Sequence, residues 1–167
     1  MVDVLFIVLL VLHVGSIVAW MGGGALFLSV ISPSLSKMSP SSRSEFVKLT
    51  LPRYFRFITG SSIIAIVVGL ILYGYVTQVE SSLAPSSSGL VSLQIGSVLG
   101  VIALIFVLGV AMPAGRKLVV LTSQVTSPNE NMVKQIESLQ RRLTMGARLG
   151  IALLGLTLIL MILGAEI

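Results

Sequence analysis

The sequence predicts an all-α integral membrane bundle of four transmembrane helices, with both termini on the outer face of the cell membrane. Helices 3 and 4 are expected to extend beyond the bilayer as a cytoplasmic hairpin. Three observations lead there. The chain of 167 residues is 55% hydrophobic and 10% charged, with a mean hydropathy of +1.06, whereas soluble domains carry roughly 25% charged residues. Four apolar runs, at about 4–31, 58–76, 90–114 and 149–165, contain no Asp, Glu, Lys or Arg. All 11 basic residues fall in the connections 32–57 and 115–148. Residues 1–167 then form a single transmembrane domain.

The runs are helical because a lipid-exposed backbone must satisfy its own hydrogen bonds, and no strand alternation points to a barrel. Each is long enough, since ~20 apolar residues cross a ~30 Å hydrocarbon core. The first run lies in an uncharged stretch from Val4 to Ser36 that holds the only histidine and the only tryptophan, His13 and Trp20. It opens with Asp3, no basic residue precedes Lys37, and its apolar stretch is about twice the 7–15 residues of a signal-peptide core. A retained first helix is expected.

Charge sets the orientation. The first connection carries Lys37, Arg43, Lys48, Arg53 and Arg56; the third carries Arg116, Lys117, Lys134, Arg141, Arg142 and Arg148. The second has only Glu80, and the termini contribute Asp3 and Glu166. By the positive-inside rule the first and third connections face the cytoplasm. The net charge of +5 thus follows from topology and contact with anionic lipid headgroups, and calls for no nucleic-acid partner.

Within the first connection, Ser39-Pro40 reads as a helix N-cap followed by proline at the first helical position. Ser42-x-x-Glu45 is an alternative capping box. The short helix that follows should end before Pro52, which would open the second span. In the third connection, Ser127-Pro128-Asn129-Glu130 combines cap, proline and acidic third position. Met132, Ile136, Leu139 and Leu143 then recur at helical spacing, with Glu130–Lys134 and Glu137–Arg141 as i,i+4 pairs. One helix of about 38 residues, ~57 Å long, is expected from there to the end of the fourth span. The third span should continue past Pro113 through Gln124 with a kink at the proline. The outer connection, ESSLAPSSSG, reads as a loop. Tyr73 and Tyr75 at one end of the second helix, and Tyr54, Phe55 and Phe57 at the other, read as interfacial aromatic belts.

Every span carries small residues four apart: Gly15, Ala19 and Gly23; Ser61, Ala65 and Gly69; Ser92, Gly96 and Gly100; Gly146 and Gly150. Lipid is as apolar as leucine, so membrane helices associate through close backbone approach over such ridges. These residues are expected to pack helices within the bundle or against other integral membrane subunits.

Candidate chemistry is sparse. With no cysteine, disulfides, thiolate metal sites and Cys nucleophiles are excluded. His13 is the only ionisable side chain within the four spans, and such groups mark functional sites by default. Imidazole suits copper, zinc or haem iron. His13 therefore either bonds a hydroxyl or carbonyl of another helix, binds a metal or haem, or serves a site shared with a partner subunit. Trp20, at i+7, shares its face with Ser16 between them, while the Gly15/Ala19/Gly23 ridge points elsewhere. There is no second histidine for a bis-imidazole haem. Met161 is the best in-chain companion by depth, Met21 lies off to the side, and Met1 with Asp3 would make a weak copper site at the outer surface. No carboxylate pair lies in the spans to relay protons. Gly22-Gly23-Gly24 sits mid-helix, where it cannot form a phosphate-cradling loop. Arg53, Arg56 and the Arg141/Arg142/Arg148 group read as headgroup anchors.

Leu12-His13, Trp20-x-Gly22-Gly23, Phe27 and Pro33, followed by Arg53-x-x-Arg56-Phe57 and Thr59-Gly60, resemble the CopD-like copper-resistance family of membrane proteins over about residues 5–75. The resemblance implies a helical membrane bundle linked to copper handling or to haem-type histidine ligation, with His13 as the ligand-type position carried over. The family's histidines on later helices are absent here. A scaffold kept without its ligands implies a non-catalytic integral membrane subunit. It would stabilise a larger complex such as a copper-containing membrane monooxygenase or a respiratory oxidoreductase, binding neither copper nor haem by itself. The alternative is a copper-handling or haem-binding protein using His13, and a small-molecule transporter is the third reading.

Overall fold

The computed structural model describes residues 3–79, 84–124 and 130–166. Four helices are long and apolar enough to cross a membrane: α1 Val4–Lys37, α2 Pro40–Val79, α3 Ser87–Thr122 and α4 Glu130–Ala165. There is no strand among the described residues. Ser127, Pro128 and Asn129 of the expected cap, Glu80, and Met1 of the surface copper pair lie outside them.

Side-chain contacts fix an up-down-up-down register. Along α1 and α2, Asp3 meets Tyr75, His13 meets Ala65 and Gly69, and Gly23 meets Ile58. Along α3 and α4, Gly89 lies by Gly164, Gly96 by Met161, Gly100 by Thr157, Val107 by Gly150 and Ala111 by Gly146. Gln94 donates to the Tyr73 hydroxyl at 2.8 Å, linking α3 to α2. α1 packs mainly on α2, and α3 on α4.

Local signals start the helices. The Asp3 carboxylate accepts the Leu5 N–H at 2.8 Å and caps α1. Ser39 caps α2, accepting from the Ser42 N–H at 3.4 Å with Pro40 at the first position, so the Ser42–Glu45 box is not used. Ser86 caps α3 through the Gly89 N–H at 3.2 Å, a cap hidden in what reads as plain loop. The Arg43 guanidinium donates to the carbonyls of Ser36 and Met38 at 3.3 and 3.4 Å, closing the C-terminal end of α1.

Pro52 behaves differently from expectation, whereas the helix continues past Pro113 to Gln124 as the sequence predicts. Pro52 neither ends a short helix nor opens a new one; it lies inside the continuous helix Pro40–Gly74. Proline removes one N–H and crowds a carbonyl, but Val47, Leu51, Phe55 and Ile58 on either side of it are buried and hold the helix in place. Before Pro33 and Pro113 the backbone widens instead. Phe27–Ile31 and Val107–Ala111 are π-helical, with Ser32 N–H bonded to the Phe27 carbonyl and Met112 N–H to the Val107 carbonyl. Five-residue spacing there makes room for each ring without ending the helix. A third π turn, Tyr75–Val79, finishes α2.

The core has two parts. Near the centre, Trp20, Ile58, Ala65, Ala103 and Leu154 cluster. Toward the 38–39 connection, Phe27, Leu35, Val47, Leu51, Phe55, Met112, Leu118 and Leu143 form a larger cluster. Four of these, Phe27, Leu51, Leu118 and Val47, are among the most deeply buried side chains of the chain. All the basic residues lie on the segments around this second cluster, so Lys48 and Arg141 share one end of the bundle. Glu130 pairs with Lys134 at 2.7 Å; Glu137 and Arg141 close no ion pair among the described residues.

Candidate functional site: the His13 cavity

On α1 the Ser16 hydroxyl donates to the Leu12 carbonyl, and the His13 ring reaches across to α2. His13 Nδ1 lies 2.8 Å from the Ala65 carbonyl oxygen. A carbonyl only accepts, so Nδ1 carries the proton and Nε2 keeps its lone pair in the neutral ring. In a helix that carbonyl is flanked by the side chain four residues on, and here that residue is Gly69. A Cβ built at Gly69 would stand 2.5 Å from His13 Cε1 and 2.8 Å from Nδ1. Gly69, read from the sequence as a helix-packing residue, is the bare patch on which the imidazole lies.

The ring borders a cavity of about 40 Å³ enclosed with Trp20, Ser97, Gly100, Thr157 and Met161. Trp20 is 3% exposed and forms the inner wall. Ser97 donates to the Leu93 carbonyl at 2.8 Å, so its proton is already used. The Thr157 hydroxyl is buried with no partner among the described residues. That volume is large enough for a water molecule and far below the ~300 Å³ at which ligand pockets begin; a haem does not fit. For copper, His13 and Met161 border the same space, an imidazole from α1 and a soft thioether from α4. No group of three or more His, Cys, Asp or Glu gathers among the described residues.

The remaining sequence-selected residues divide between packing and an open surface. Gly23 lies under Ile58 and Phe57, Gly96 under Met161 and Leu160, Gly100 beside Ile66, Gly146 beside Ala111 and Gly150 near Val107. Ala65 is buried at 2% exposure. Ser61 bonds back to the Phe57 carbonyl at 2.9 Å. A Cβ built at Gly15 would meet nothing within 4 Å among the described residues, so no other helix lies against it. With Ser16, Ala19, Gly60 and Ser61 it lines a groove of about 430 Å³ on the outer side of α1 and α2. Ser16 therefore belongs to this groove and not to the face between His13 and Trp20.

The inner aromatic belt is corrected. Phe55 is 8% exposed and lies against Gly115, where any Cβ would overlap its ring. Tyr54 stacks on Phe27 with ring centroids 5.3 Å apart and donates to the Gly23 carbonyl at 3.3 Å. Only Phe57, at 54% exposure, faces outward as a belt residue would. Helical spacing shows which residues share a face but not which way the face turns. At the other end, the Tyr75 hydroxyl donates to the Asp3 carboxylate, and with the Leu5 N–H it holds that carboxyl below its ordinary value of 3.8. Asp3 is thus committed to a cap and a cross-link. Thr157, Gly115 and the Gly89–Gly164 contact escape sequence reasoning, since Gly89 falls in the stretch that reads as outer loop.

No family model, curated protein or solved structure matches the chain.

Proposed function

We propose that this chain is a non-catalytic integral membrane subunit that stabilises a larger membrane complex, with its cationic end in the cytoplasm and both termini outside. The observation that carries the reading is the unfilled groove along α1 and α2. Its small residues, Gly15, Ser16, Ala19, Gly60 and Ser61, offer close backbone approach to another helix, and no helix among the described residues takes it up. α1 is also the least enclosed span: 6% of its most apolar window is buried, against 22–33% for the others. The groove is suited to a single transmembrane helix of a partner. The sequence resemblance favours a copper-containing monooxygenase or respiratory oxidoreductase as the complex. At the cationic end, amphipathic α4 buries Leu143 and leaves Glu130, Lys134, Arg141 and Arg142 exposed. That pattern fits helices 3 and 4 leaving the bilayer as a hairpin, where water restores the hydrophobic driving force.

A photo-crosslinking residue at Ala19, compared with one at lipid-facing Val98, tests the reading in native membranes. A discrete protein adduct from Ala19 alone is expected; lipid adducts from both positions would contradict it.

The second reading, copper handling through His13, is favoured by Met161 bordering the same cavity. Metal analysis of wild type and His13→Ala decides it, since copper content that does not change ends it.

A further inference from the structure

A second groove, between α2 and α3, has a cavity volume of about 740 Å³, within the ~300–1,000 Å³ of ligand-binding clefts. Its floor is apolar: Phe55 and Met112 are buried beneath it, and Ile63 and Val119 form its sides. Arg56 and Arg116 stand on opposite walls. The Phe55–Gly115 contact, one residue before each arginine, sets them at the same depth. Neither arginine makes a hydrogen bond or ion pair among the described residues, and no acidic residue lines the groove. Glu45, the acidic residue of α2, precedes Arg56 by about 11 residues, ~16 Å along the axis. One turn deeper, Thr59 lines the groove, its hydroxyl oxygen buried and without a partner among the described residues. Beyond it the surface opens over Gly60, where nothing lies within 4 Å of a Cβ position, toward Ile63 and the apolar part of α2.

We propose that this groove is a site for one anionic phospholipid. Arg56 and Arg116 hold its phosphate from two sides, and an acyl chain lies along Gly60 and Ile63. Paired guanidiniums match phosphate oxygens in geometry as well as charge. The Thr59 hydroxyl supplies a further donor on the side facing the glycerol backbone. Two cations without counter-charge, at the mouth of a greasy channel that runs from the cationic end toward mid-membrane, need an occupant with a negative head and an apolar tail. A free phosphate would satisfy the arginines and leave the apolar floor bare. The inference rests on the membrane-spanning reading; recovery of the protein in the membrane fraction checks that reading separately, before any lipid is added.

Native mass spectrometry of the detergent-purified protein, with equal phosphatidylglycerol and phosphatidylcholine of identical chains, tests it. One retained phosphatidylglycerol is expected in preference to phosphatidylcholine, by roughly fivefold per arginine, and inorganic phosphate should not displace it. Arg56→Gln with Arg116→Gln should bring the two lipids near parity. Arg141→Gln with Arg142→Gln, an equal loss of charge elsewhere at the same end, should keep the preference. Ile63→Trp, with both arginines intact, should cut retention several-fold by filling the channel, and it tests the site even where the double arginine variant fails to fold. Equal binding of the two lipids by wild type, an equal loss in the Arg141/Arg142 variant, displacement by inorganic phosphate, or full retention by Ile63→Trp would each overturn the proposal.

Discussion

The imidazole of His13 lies on the bare Cα of Gly69, and that contact lets Nδ1 reach the Ala65 carbonyl at 2.8 Å. Gly69→Ala should push the ring off this carbonyl at a cost of about 1–3 kcal/mol. In a His13→Ala background the same substitution should cost almost nothing, because the clashing atoms are gone. Unfolding of the four proteins in micelles measures the coupling. Equal penalties in both backgrounds would mean that Gly69 serves helix packing independently of His13.

Phe55 fills the space that a side chain at position 115 would need. Gly115→Val should therefore be destabilising by about 1–3 kcal/mol, since the added side chain overpacks against the buried Phe55 ring. Phe55→Ala should cost about 3–5 kcal/mol. The double variant should be more stable than the sum of the two losses implies, again read from unfolding in micelles.

Asp3 gives a pH dependence with a defined sign. The Tyr75 hydroxyl, and after it the Leu5 N–H, lower its carboxyl below 3.8. The native state then binds this proton less readily than the unfolded chain. The stabilisation is fully present above the ordinary carboxylate value and is lost as pH falls through the lowered one. The site is exposed, so the increment is small. Tyr75→Phe should remove most of the acid sensitivity assigned to Asp3 while leaving the Leu5 cap. The titration of Asp3 by NMR in wild type and Tyr75→Phe reads it directly, with the variant's value moving up.

The chain has no cysteine, so single introduced cysteines report topology cleanly. Lys48→Cys and Arg141→Cys, at the same end of the bundle, should react with an impermeant thiol reagent only from the cytoplasmic side, and Ser87→Cys only from the outer side. Labelling of Lys48→Cys and Arg141→Cys from opposite sides would contradict both the register and the positive-inside assignment.

The spans were legible in the sequence because membrane insertion depends on composition and length, which any apolar run displays. The Ser39 cap was legible because proline at the first helical position marks it, whereas the equally local Ser86 cap is lost among its serine neighbours. The rest of what escaped was set by rotation and register. Tyr54 and Phe55 look interfacial by position, but the turn of α2 points them at Phe27 and Gly115. Pro52 looks like a breaker, yet burial on both sides of it outweighs one missing hydrogen bond. The π turns before Pro33 and Pro113 answer a clash that the sequence shows while leaving its remedy open. His13 stood out as the lone intramembrane ionisable group, whereas Thr157 is an ordinary threonine until the fold buries its hydroxyl beside the same cavity. Small-residue spacing located Gly15 and Gly69 equally well, though one lies on an open groove and the other under an imidazole ring.

The central claim is that this chain acts within a larger assembly through the open face of α1 and α2, and the apparent mass of its complex after mild detergent extraction tests that most directly. Wild type should migrate with partner subunits, well above its own 17.7 kDa. Gly15→Leu with Ala19→Leu, which fills the groove without touching the His13 side, should release it as a single chain of normal helicity. A wild-type chain that runs alone, or a filled groove that leaves the assembly intact, would contradict the claim.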